Sequence, residues 1–131
     1  MKKLVFTLVV MSLMFSCNND DSALGTTLLG NWKLKEVLAD PGDGSGTFLP
    51  VQSNKRITFE ANGVITSNGS LCDMSTAADA PTSGTYSNTN FTFNSADCIV
   101  ANYNYSFEQT GTVLIITYPC FEPCKAKYAK E

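Results

Sequence analysis

A chain of 131 residues, 44% hydrophobic and 16% charged, suits one globular domain and leaves no room for a second full core. It contains no histidine, which excludes Ser-His-Asp and Cys-His nucleophile pairs, His-ligated zinc and haem on an axial His. The net charge of −3, with no basic stripe, argues against nucleic acid as a partner.

Residues 1–16 read as a signal peptide: Lys2 and Lys3 give a positive start, and an apolar run over residues 4–15, broken only by Thr7 and Ser12, ends at Ser16-Cys17. That run is too short to cross a bilayer, which takes about 20 apolar residues. A small residue directly before a cysteine resembles the lipobox of bacterial lipoproteins, with Met14 standing where Leu, Val or Ile is usual. The resemblance implies cleavage before Cys17, lipidation of its thiol and attachment to a membrane through the lipid; the alternative is an ordinary secretory signal with a chance cysteine. Removal of Lys2 and Lys3 leaves seven Lys/Arg against twelve Asp/Glu, a side-chain balance of −5.

Residues 17–29 then hold the lipidated cysteine and a tether. Asn, Asp, Ser, Gly and Thr dominate it until Leu28-Leu29, and its reach is roughly 19 Å. Asp20-Asp21 resembles the acidic surface-export signals of some Gram-negative lipoproteins, or is solvated linker charge. Asn18 does not resemble an inner-membrane retention signal, so the expected location is the outer membrane, with the periplasmic or surface side left open.

From Gly30 to residue 131 the pattern is that of strands. Residues 31–38 alternate, with Trp32, Leu34 and Leu38 on one face and Asn31, Lys33 and Lys35 on the other; further β-rich runs cover 54–60, 63–68, 84–88, 90–94, 102–109, 112–118 and 124–129. No helical stripe competes, although 75–80 and the Lys/Ala-rich C-terminus suit a short helical turn. Tight turns are expected at Asn62-Gly63, Asn88-Thr89-Asn90 and Thr110-Gly111. The other connections are mostly longer and hold Pro41, Pro50, Pro81, Pro119 and Pro123. In an up-and-down meander this closes one end with hairpins and rims the other with loops.

Eight antiparallel strands leave the first and last free to pair, so the expected fold is an all-β, eight-stranded antiparallel up-and-down barrel shaped as a cup. Gly30-Asn31-Trp32 at the start of the first strand matches the Gly-x-Trp motif of lipocalins. With Ile57-Thr58-Phe59, Asn62-Gly63 and Pro119-Cys120-Phe121-Glu122-Pro123-Cys124, residues 28–131 resemble the bacterial lipocalin-like lipoproteins. The Thr-Asp-x-x-Tyr motif of animal lipocalins is missing. The arginine that caps their strand-one tryptophan has no match either, since the only arginine is Arg56 and the last strand offers Lys125, Lys127 and Lys130. The resemblance thus implies a fold and leaves the ligand open.

Alternation places Trp32, Leu34, Ile57, Phe59, Phe91, Phe93, Tyr103, Tyr105, Phe107, Leu114, Ile116, Ala126 and Tyr128 on the inner face, with Glu36 inward near the rim. These aromatics either line a pocket for an apolar ligand or fill the core of a small barrel. Glu36 either orients a ligand's polar end or sits in solvent. The Lys125, Lys127 and Lys130 series reads as an outward face. With Cys17 set aside, Cys72, Cys98, Cys120 and Cys124 form an even set in an exported chain. Paired Cys-x₂-Cys spacing is absent, so disulfides are expected and a metal is not. The meander brings all four to the loop end, opposite Trp32, and favours Cys72 with Cys98 and Cys120 with Cys124.

Asp40, Asp43, Asp73, Asp79 and Asp97 are scattered over loops and form no carboxylate pair, so neither catalysis nor a cofactor is expected. Two functions stay open: a cup that binds a small apolar ligand at the envelope, or an interaction module whose rim loops dock a protein or glycan around a solid barrel.

Overall fold

The computed structural model describes residues 27–100 and 102–131. The expected signal peptide over residues 1–16, Cys17 and the part of the expected tether up to residue 26 lie outside the described residues.

Among the described residues every regular element is a strand: β1 (Gly30–Ala39), β2 (Leu49–Pro50), β3 (Arg56–Phe59), β4 (Val64–Ser67), β5 (Thr82–Ser87), β6 (Thr92–Asn94), β7 (Tyr105–Thr110), β8 (Val113–Tyr118) and β9 (Cys124–Lys130). From β3 to β9 each strand pairs antiparallel with the next, and β1 pairs with β3 on one flank and β9 on the other, which closes the sheet. The two-residue β2 lies on the β3 flank, opposite Glu36 and Val37. Val51 N–H donates to the Lys35 carbonyl and Leu34 N–H to the Lys55 carbonyl across the interval between them. β2 and β3 are therefore pieces of one stave, and the barrel has the eight staves that the alternation predicts. Neither segment suited to a helical turn is helical: residues 75–80 belong to a loop and the C-terminus is β9.

Two features of β1 and β9 correct the simple alternation. The β1 register against β9 shifts between Leu34 and Glu36, a bulge at Lys35 that resets which residues face inward. Val37, packed against the core, now stands opposite buried Ala126, while Glu36 stands opposite Lys127 and accepts its Nζ at 2.5 Å on the outer wall. Glu36 and Leu38 consequently leave the inner face expected of them. At the other end, Lys130 shares the parity of buried Ala126 and Tyr128 and is the register partner of Trp32. Its ammonium lies 4.6 Å from the Trp32 ring centre, so it is not part of an outward lysine face. A cation from the last strand thus covers the strand-one tryptophan although no arginine is available there.

The hairpin end is sealed by the chain's own approach to β1. Trp32 Nε1 donates to the Leu28 carbonyl at 2.7 Å, and Lys130 Nζ donates to the Thr27, Leu28 and Leu29 carbonyls. The tight turns of this end carry Gly63 at φ +81° and Gly111 at φ +56°, a backbone region that side chains with a Cβ avoid.

The barrel interior is filled. Trp32, Leu34, Ile57, Phe59, Phe93, Tyr105, Phe107, Leu114, Ile116, Ala126 and Tyr128 are all buried, and their rings meet edge-on or stacked, as in Phe59–Phe107 at 5.4 Å and Phe93–Tyr105 at 5.0 Å. Ile65, Leu71 and Tyr118 join them. Two expected interior aromatics do not. Phe91 occupies the β5–β6 turn at φ +52° and is half exposed, its ring edge-on to Phe107 at 5.8 Å. Tyr103 precedes β7, because Asn102 at φ +61° and a Tyr103 N–H to Val100 carbonyl bond turn the chain there, and it rests partly exposed on Tyr105.

Candidate functional site

β1, β4, β6 and β8 all finish at the end opposite the hairpins, so the loops 40–48, 68–81, 95–104 and 119–123 form one rim. Each is fixed by local chemistry. In the first, Asp40 follows β1, and Pro41 and the glycines after it let the chain fold back on its carboxylate. Oδ1 accepts the Gly42, Asp43 and Gly44 amides and Oδ2 accepts the Gly46 amide. These bonds to the charged form hold the Asp40 carboxyl below its ordinary range, as Ser45 does for Asp43. Asp40 N–H also donates to the Pro123 carbonyl at 3.1 Å, which ties the first rim loop to the last.

The loop 68–81 folds across the mouth of the cup. Leu71 is fully buried among the core side chains, and its amide donates to Thr82 Oγ1 at 2.9 Å. Lys55, directly before β3, is also fully buried; its Nζ donates to the Asp73 and Ser75 carbonyls at 3.2 and 2.8 Å. Burial pushes the Lys55 pKa down to about 8, with Asp73 opposing. Ser53 Oγ donates to the Thr76 carbonyl at 2.7 Å. A lysine in an otherwise polar stretch gives no sequence signal of burial, because its role depends on carbonyls 18 and 20 residues away.

The four cysteines share the rim and pair as the meander predicts. Cys72 bridges to Cys98, with Cα atoms 5.4 Å apart, and Cys120 to Cys124 at 5.9 Å. The first bridge staples the loop over the mouth to the 95–104 loop. The second ties the 119–123 turn back to the start of β9.

Large apolar side chains stand out of this cross-linked rim. Ile99 is 103% exposed, Val100 54% and Phe121 109%. A cleft of about 330 Å³ is lined by Cys72, Asp73, Ile99, Val100, Tyr105 and Pro119, and a neighbouring one of about 400 Å³ by Tyr103, Pro119, Cys120 and Phe121. The two share Pro119. Tyr103 and Tyr105, expected as inner lining, thus border solvent-facing clefts at the rim, and Phe91 and Phe107 border one of about 290 Å³ beside the β5–β6 turn, whereas Trp32, Phe59, Phe93 and Tyr128 are enclosed in the core. Ile99, Val100 and Phe121 were not among the residues that alternation singles out, since alternation ends where the strands do; an apolar pair and a phenylalanine inside polar loops are the signal that remains. Further clefts lie at the hairpin end, about 440 Å³ beside Leu28, Leu29 and Tyr86, and on the outer wall beside Glu36 and Pro50, about 340 Å³.

Among the described residues no group of three or more His, Cys, Asp or Glu is arranged to hold a metal ion. No helix of the described residues is long and apolar enough to cross a membrane. A family model described as a lipocalin-like domain matches residues 28–116. No curated protein and no solved structure gave a match.

Proposed function

We propose, from the premise that the chain belongs to the lipocalin-like domain family, that it is an envelope lipoprotein held by lipid on Cys17, whose barrel binds an apolar group at the loop rim. A lipocalin-like barrel is a ligand-binding fold. The observation that carries the reading is the contrast within this barrel: its interior is occupied by its own aromatics, while Ile99, Val100 and Phe121 project beside two adjoining clefts. Exposed apolar clusters of this kind mark interaction sites. The disulfides and the Lys55 contacts support a pre-shaped surface, which lowers the ordering cost of binding.

The test uses a neutral apolar fluorescent probe titrated into wild type, an Ile99→Ser/Phe121→Ser variant and a Phe93→Leu variant. Binding is expected to be lost in the rim variant and kept in the core variant; loss confined to Phe93→Leu would assign the site to the barrel interior. A second reading, a protein partner instead of a small ligand, is favoured by Ile99 and Phe121 standing fully proud of the surface, since anchors that project suit a groove on a partner.

A further inference from the structure

We infer that the rim docks a cationic, apolar-faced peptide segment of a partner protein, an inference that rests on the second reading above. The geometry supplies the apolar part. Two clefts side by side, joined at Pro119 and flanked by Ile99 and Phe121, match successive apolar side chains of an extended segment, and the projecting side chains suit a groove between that segment's own side chains.

Charge identifies the partner's chemistry. The four rim loops carry Asp40, Asp43, Asp73, Asp79, Asp97 and Glu122 and not one Lys or Arg. Asp73 lines the first cleft and Glu122 follows Phe121 at the second. The cations belong to other elements: Lys33, Lys35, Arg56, Lys125, Lys127 and Lys130 are on the strands, where Lys127, over the Phe48 ring at 4.1 Å, is paired with Glu36, and Lys55 is buried beneath the mouth loop. The rim therefore presents one sign of charge around an apolar centre, which speeds encounter with a basic segment and repels an acidic one. A second copy offering the same rim meets like charge, and so does an anionic lipid surface. The approach of the chain to β1 lies at the hairpin end, beside Leu28 and Leu29, so the rim points away from the end at which residues 27–29 join the barrel.

The experiment uses the full chain in detergent and three labelled ten-residue peptides of one apolar pattern, with Lys, Gln or Glu at the polar positions, read by fluorescence anisotropy. The Lys peptide is expected to bind about tenfold or more tightly than the Gln peptide, with the advantage shrinking as salt rises from about 50 to about 500 mM, and the Glu peptide not to bind. An Asp73→Asn/Glu122→Gln variant, its fold checked by thermal midpoint and circular dichroism, should lose the Lys-over-Gln preference. Ile99→Ser/Phe121→Ser should lose both peptides, with thermal midpoint and circular dichroism verifying the fold. Equal binding of Lys and Gln peptides, lost in the Ile99→Ser/Phe121→Ser variant, overturns the cationic partner and leaves rim binding standing. Binding indifferent to both variants overturns the rim itself. Stronger binding to anionic vesicles than to the Lys peptide, or self-association in sedimentation that Ile99→Ser/Phe121→Ser abolishes, overturns the peptide in favour of a lipid surface or a second copy.

Discussion

Trp32 joins the core to the seal at the hairpin end. It is fully buried, its indole N–H holds the Leu28 carbonyl, and the Lys130 ammonium lies over its ring. Trp32→Ala removes all three contacts and leaves a cavity, so destabilisation of about 3 to 5 kcal/mol is expected; an unchanged midpoint in chemical denaturation would refute it. Lys55 makes a different prediction. Its folded pKa, about 8, lies below the unfolded value of 10.5, so between about pH 8 and 10 the unfolded chain binds more protons and stability rises with pH, by at most something of the order of 3 kcal/mol. Lys130, also lowered by burial, adds to the rise. Tyr118 and Tyr128 act in the opposite sense, because burial raises their pKa values and the unfolded chain ionises first, from about pH 10 upward. Thermal midpoints measured across this range should therefore climb and then fall in wild type, while Lys55→Met loses most of the climb and keeps the fall.

Among the elements, the two disulfides are unequal. Cys72–Cys98 closes an interval of 26 residues and Cys120–Cys124 one of 4. The chain-entropy account gives about 3.5 kcal/mol for the first and about 2 for the second, so Cys72→Ser/Cys98→Ser should lower the denaturation midpoint further than Cys120→Ser/Cys124→Ser. Gly84 sets a packing limit of its own. A Cβ there would stand 2.1 Å from the Asn94 carbonyl oxygen on β6, a backbone atom with no free rotation to yield. Gly84→Ala should part β5 from β6, visible as a lower melting temperature and faster amide exchange in Thr85 and Phe93. The sequence marks neither Gly84 nor the Lys35 bulge, because both arise from the way one strand meets another. Turn chemistry was legible, as at Asn62-Gly63; Phe91 was not, since a turn one residue longer than its Asn-Thr-Asn core carried the ring off the inner face.

At the scale of the whole molecule, six of the ten acids in residues 27–131 and the two most exposed apolar side chains, Ile99 and Phe121, lie at the rim, while six of the seven cations there lie on the strands. The proposed anchor makes an independent prediction. Cys17→Ala should abolish incorporation of labelled fatty acid and shift the protein from the membrane fraction to the soluble fraction of a cell lysate; unchanged fractionation would mean that something other than lipid on Cys17 holds it.

Local physics decided much of this protein. Period-two alternation, Asn-Gly turns and the spacing of four cysteines were enough to determine the staves, the closure of the barrel, most of its core and the placing of the four cysteines at one end, and to favour the pairing found, because each depends on residues near in sequence or on the end at which a meander leaves each connection. Only the tertiary structure decided that Glu36 faces Lys127, that Lys130 covers Trp32 and that Lys55 is buried under the mouth loop. It also decided that the aromatic interior is full while Ile99 and Phe121 stand outside. A bulge, a buried cation and a filled cavity are sums over neighbours distant in sequence, and periodicity along one strand carries no term for them.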